Sequence, residues 1–184
     1  MGDNTDSQLL SREGTILVII DVQERLLPAI HNGEKLLQNI VKLLRFAKII
    51  GLPVLVTEQE KLGPTVSEIR EELPLIDPVA KVEFDAFKCS GFAGRLGRLQ
   101  RKSLVVAGIE SHICIAQTVL HLLPHYRVHV VSDAVSSRSP DDWKIALRRL
   151  EQSGAVISST EMVIYELLER AGTEEFRAAL RLVK

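Results

Sequence analysis

Thr15-Ile-Leu-Val-Ile-Ile20-Asp21-Val-Gln-Glu-Arg25 is the stretch from which the fold can be read. Residues 15–20 form an unbroken apolar, β-branched run, as expected of a strand covered on both faces. The run stops on a carboxylate, Asp21. A dinucleotide-binding first turn needs glycines so that a pyrophosphate can approach the backbone. Asp21-Val-Gln-Glu-Arg25 has none, so an NAD-binding reading fails here.

Outward from this run, short apolar stretches alternate with amphipathic ones. Glu34 to Ile50 carries apolar residues at 36, 37, 40, 41, 43, 44, 47 and 50, a helical period that Gly51 and Pro53 end. Residues 53–57 read as a second strand, 66–73 as a short helix, 79–82 as a brief strand and 91–100 as another short helix. Ser103 to Ala107 is a strand running into Gly108, and 111–123 is a nearly all-apolar helix that must be buried on most sides. Residues 127–131 form the next strand. A helix over 141–153 follows, with Ser139 as its cap and Pro140 at its first position. A last strand at 155–157 and helices over 160–170 and 173–182 complete the chain. This alternation predicts a three-layer α/β, Rossmann-like fold. Its doubly wound, mostly parallel six-stranded sheet has the order 3-2-1-4-5-6. One domain is expected over residues 1–184, with 1–13 as a loose tail.

The chain has 184 residues, 46% of them apolar, enough for one well-buried core. Its 23 Lys and Arg balance 24 Asp and Glu. Such a surface offers no electrostatic footprint for nucleic acid or an anionic membrane, which favours a small-molecule substrate or a protein partner. Two cysteines, Cys89 and Cys114, are too few for a disulfide framework and lack the paired spacing of a zinc site. A cytoplasmic location follows as the expectation, since the polar N-terminus lacks the apolar core of a signal peptide. No apolar run reaches the roughly 18 residues of a membrane span. Leu36, Leu37, Leu43 and Leu44 put more than one apolar stripe on the first helix, which points to a homo-oligomer.

In a doubly wound sheet, ligands bind at the carboxyl ends of the strands where the order reverses, here between the first and fourth strands. Asp21 ends the first, and Gly108 to Cys114 follows the fourth. In the first turn of a helix, Cys114 feels the positive dipole end, which favours thiolate, and its neighbouring N–H groups suit an oxyanion. Equally, a free cysteine packs as a small apolar residue. Asp21 must be paired if buried, or else caps a local turn. Lys81 is the candidate cation, although lysines are mostly solvated. His121 and His125 have zinc-like spacing, but Pro124 intervenes and no third ligand is evident. Cys89-Ser-Gly91 lacks the Gly-Lys-Ser/Thr ending of a phosphate loop, and Asp133 reads as a turn carboxylate.

Ile20-Asp21-Val22-Gln23, Lys81-Val-Glu-Phe84-Asp-Ala-Phe87, Gly108-Ile-Glu-Ser-His-Ile-Cys114 and Val131-Ser-Asp133-Ala-Val-Ser-Ser137 together resemble the motifs of the isochorismatase-like cysteine hydrolases. Thr57-Glu-Gln59 and Leu62-Gly-Pro64 resemble loops of the isochorismatase-domain-containing subgroup. The resemblance covers about residues 14 to 170. It implies a catalytic triad of Cys114, Asp21 and Lys81, and a non-proline cis peptide between Ile109 and Glu110. It further implies an oxyanion hole from the Glu110 and Cys114 N–H groups, a thioester intermediate, and homo-oligomers. Gln23, Phe84, Phe87 and His112 are the expected pocket walls, with His112 equally suited to a subunit interface. Nicotinamidases of this superfamily carry an Asp-x-His metal site where this chain reads Thr57-Glu58-Gln59-Glu60, so no metal and no other cofactor is expected. The expected activity is hydrolysis of a small amide, ester or nitrile. A catalytically silent interaction protein on the same fold is the competing reading.

Overall fold

The apolar runs become strands because each is covered on both faces. In a computed structural model, which describes residues 9–183, β1 (Thr15–Ile20) and β4 (Ser103–Ile109) are buried along their whole length. They lie side by side at the centre of a six-stranded, all-parallel sheet of order β3-β2-β1-β4-β5-β6. The other strands are β2 (Val54–Gln59), β3 (Val79–Lys81), β5 (Arg127–Ser136) and β6 (Val156–Ser158). One face of the sheet is covered by α1 (Gly33–Ile50), α6 (Thr160–Leu168) and α7 (Glu174–Val183), with α2 (Ser67–Glu72) beside α1. The other face carries α3 (Ser90–Arg98), α4 (Ala116–Leu122) and α5 (Pro140–Gln152). Alternate residues of β1 divide between the two cores: Leu17 and Ile19 to one, Ile16, Val18 and Ile20 to the other.

The local signals act where the sequence places them. Gly51 ends α1 in the left-handed region at φ 69°, its N–H bonded to Ala47 O. Ser139 caps α5 by accepting from the Asp141 and Asp142 N–H groups.

Four expectations change. The fifth strand extends to Ser136, because β4 runs on to Ile109 and a register shift near Gly108 lets Gly108 pair with Val135. The helix expected over 111–123 begins instead as a π-helical turn, Ser111–Ile115, before α4. The second apolar stripe of α1 is consumed within the chain. Leu36, Leu43 and Leu44 are buried and Leu37 is half-buried in one core, because α2, α6 and α7 all pack on α1. Finally, the expected tail packs on the body where it is described: Leu10 is buried, and the Arg12 side chain bonds Ile50 O and Glu175. Residues 1–8 of that tail lie outside the described residues. No helix among the described residues is long and apolar enough to cross a membrane.

Gly108 ties the two central strands together. It pairs with Ile20 at φ 124°, and a Cβ there would overlap the Ile20 backbone O and N. Gly108→Ala should therefore cost more than about 4 kcal/mol or prevent folding, which urea titration and expression would register.

Candidate active site

Asp21 is the residue at which β1 leaves the sheet. Its N–H still bonds Thr57 O at 3.2 Å, and its backbone then turns into the left-handed region at φ 54°. Among non-glycine residues, Asp is one of the few that tolerates this conformation. The turn directs the carboxylate into a fully enclosed space, where each oxygen has a partner. The Thr57 hydroxyl donates to Oδ1 at 2.7 Å, and the Lys81 ammonium donates to Oδ2 at 2.7 Å. Both side chains of the ion pair are completely buried. Lys81 closes β3, two strands away, and its ammonium also donates to Gln59 Oε1 at 2.7 Å and Glu83 O at 3.1 Å. All three ammonium protons are thus used. A buried ion pair persists when its remaining hydrogen-bonding capacity is met in this way.

Cys114 lies in the π-helical turn after β4 and is 6% exposed. The Ile109–Glu110 peptide is cis. The Asp21 carboxylate is near enough to act on the Cys114 thiol through its charge, so Asp21, Lys81 and Cys114 converge from the ends of β1, β3 and β4. The charge state differs from the one that a helix dipole favours. Burial, and then the Asp21 charge, push the Cys114 thiol up to about 12, with Lys81 opposing. Both effects favour the neutral thiol over the thiolate.

The residues expected as pocket walls divide. Phe84 is exposed, in the segment that follows Lys81 and next to Glu83, whose carbonyl accepts from the Lys81 ammonium. Phe87 turns away, its ring against His121, His125 and Tyr126. His121 is held by Asp85 at 2.8 Å, a pairing that sequence spacing did not suggest. His112, on the Cys114 turn, meets Ser137 Oγ at 2.9 Å. Gln23 is no wall at all. It is fully buried, and its amide donates to Gln59 O and Gly63 O while accepting from the Gln59 N–H. It holds the end of β2, and so Gln59, against Lys81. Gln23→Leu should leave three backbone groups unpaired and cost about 2–4 kcal/mol in urea unfolding.

Sequence reasoning gave no role to the Thr57, Gln59 and Ser111 side chains or to the Glu110 carboxylate. Thr57 and Gln59, which the sequence offered only as part of the loop-like Thr57-Glu-Gln59, hold the charged pair. The Glu110 carboxylate, nearly buried, accepts from the backbone N–H and Nε of Arg138 at 3.0 Å each. Ser111 Oγ is fully buried and, among the described residues, has no hydrogen-bond partner. Asp133 is structural, its carboxylate accepting from the N–H and hydroxyl of Thr160 at the start of α6. Among the described residues, no three His, Cys, Asp or Glu side chains gather as metal ligands.

The isochorismatase domain model matches residues 15–162, from the first residue of β1 into α6, and so encloses Asp21, Lys81 and Cys114. The chain belongs to the isochorismatase domain family. The chain is 40% identical over 179 residues to the secreted isochorismatase effector Isc1 of Phytophthora sojae, covering 92% of this chain and 84% of that protein. It is 37% identical over 176 residues to isochorismatase domain-containing protein 2A of Mus musculus, covering 94% and 84%. Among solved structures, the MAR1 ribonuclease of Caenorhabditis elegans superposes with a TM-score of 0.88 at 30% identity, covering 95% of this chain and 92% of that one. The protein thus has the isochorismatase-like hydrolase fold, with its charged pair at the carboxyl edge where the strand order reverses.

Proposed function

We propose that this protein is a metal-independent cysteine hydrolase acting on a small amide, ester or nitrile. One observation carries the reading: a buried thiol beside a carboxylate that is itself clamped by a buried lysine. In this scheme Asp21 takes the Cys114 proton as Sγ attacks the substrate carbon, and Lys81 holds Asp21 and stabilises the charges that form. The Glu110 and Cys114 N–H groups are the proposed donors to the oxyanion. Protonated Asp21 then gives its proton to the leaving amine or alcohol, leaving a thioester. Asp21 next removes a proton from water, which attacks the thioester, and the returning proton restores the thiol as the acid departs. A nitrile adds the sulfur and proton to form a thioimidate, and water then takes it to the amide.

The buried, unpartnered Ser111 hydroxyl and the exposed Phe84 ring are the proposed substrate contacts. A small substrate is favoured over RNA because the balanced charge provides no phosphate-binding surface. A reducing, cytoplasmic setting is proposed from the two free cysteines, and a homo-oligomer from the exposed Val82 and Phe84 flanking Lys81.

The test is incubation with a panel of small amides, esters and nitriles, with intact-protein mass spectrometry to detect an adduct on Cys114. Failure of every class to give either adduct or turnover sinks the proposal. The alkylation profile supplies a second check. With the thiol pushed up to about 12, iodoacetamide should react slowly at pH 7 and about tenfold faster per pH unit up to pH 11. Alkylation reports the free thiolate, not the proton transfer proposed for turnover. Asp21→Asn removes the charge that raises the thiol, so the alkylation rate at pH 8 should increase while turnover is lost. An unchanged or lower rate in Asp21→Asn would contradict this electrostatic account.

A further inference from the structure

The carboxyl edge of the sheet has a second opening that the proposed chemistry leaves unused. A half-open cavity of about 450 Å3 lies over the end of β5, between the first turns of α1 and α5. Its size falls within the range of small-molecule sites, and Asp21, Lys81 and Cys114 do not line it. A ledge at Ser136 and Ser137 stands between the two places. The Ser136 hydroxyl donates to His31 O at 2.7 Å on the cavity side, while Ser137 Oγ meets His112 on the other.

The lining combines the Trp143 ring and the His31 imidazole with two lysine ammonium groups. The half-buried Trp143 indole donates through Nε1 to Ser132 O at 3.2 Å, which orients the ring. Lys35 enters from α1 and Lys144 from α5. Lys144 has only a 3.5 Å exposed contact with Asp141, three residues earlier on its own helix, a pairing too weak to withhold it from a ligand. The carboxylate in the wall, Asp133, is tied to Thr160. The first turns of the two helices also carry acids, Glu34 on α1 and Asp141 and Asp142 on α5, but none of the three lines the cavity.

We propose that this cavity is a second binding site, separate from Cys114, for a small aromatic carboxylate. The ring lies against Trp143 and the carboxylate between the Lys35 and Lys144 ammonium groups. The proposal holds whatever reaction Cys114 performs. Trp143 is the chain's single tryptophan, so one indole N–H resonance reports on the cavity in an NMR titration of the full-length protein with benzoate. A saturable shift is expected, with affinity at least about tenfold weaker in Lys35→Gln/Lys144→Gln. The same shift should persist in Cys114→Ala, and benzyl alcohol, of similar size but uncharged, should bind far more weakly. Absence of a saturable shift overturns the site. Equal binding by benzyl alcohol, or full binding by the double-glutamine variant, overturns the anion assignment. Loss of the shift in Cys114→Ala returns the ligand to the reaction site.

Discussion

Cys114→Ala is expected to abolish hydrolysis of any substrate found in the panel, with kcat reduced by about 10^4-fold or more. The magnitude follows from the scheme, in which every bond change passes through Sγ. Without it, the oxyanion donors and Asp21 are left to assist only direct attack by water. Stability should change little by comparison. The side chain removed is small, and the raised thiol offers no ionic bond that the fold depends on. Folded Cys114→Ala with unimpaired kcat, measured by product release, would eliminate the covalent mechanism. Cys114→Ser should be nearly as inactive, since a hydroxyl is a far weaker nucleophile in the same place.

The second large effect is on folding. Lys81→Met should destabilise the protein by about 3–5 kcal/mol in denaturant titration, because it leaves the fully buried Asp21 carboxylate without its counter-charge. The Thr57 hydroxyl would remain as a donor to it. Combining Lys81→Met with Asp21→Asn removes the charge from both partners. Asn is chosen because it also tolerates the left-handed backbone at Asp21. The double variant should be more stable than Lys81→Met alone, giving a coupling energy of several kcal/mol. Simple additivity of the two substitutions would mean that the pair is not the electrostatic unit described above. Both variants should lack activity, so here stability and catalysis can be separated.

The sheet order was legible because parallel strands buried on both faces are written as unbroken β-branched runs, and right-handed crossovers leave few ways to arrange them. Residues 15–20 and 103–107 illustrate this. Strand ends were less legible. Ser132 to Ser136 carries small and polar residues that look like a loop, yet pairing with β4 keeps it extended. The π-helical turn at Ser111 to Ile115 was hidden for a related reason. Its apolar pattern suits an ordinary helix, and the wider turn appears only in the backbone hydrogen bonding.

By itself the sequence determined the α/β architecture and the strand order. It also brought Asp21 and Cys114 to the one edge where a doubly wound sheet opens. These follow from local periodicity and chain handedness, which a linear text carries. The tertiary structure alone decided which side chains meet and in what ionic state. Lys81 reaches Asp21 across β2 with help from Gln59, Gln23 turns from expected wall to clamp, and Cys114 is held as a thiol rather than a thiolate. The physical reason is that hydrogen-bond partners and desolvation depend on what lies across the fold. A helix dipole can be read from one segment, but the burial that outweighs it at Cys114 comes from many.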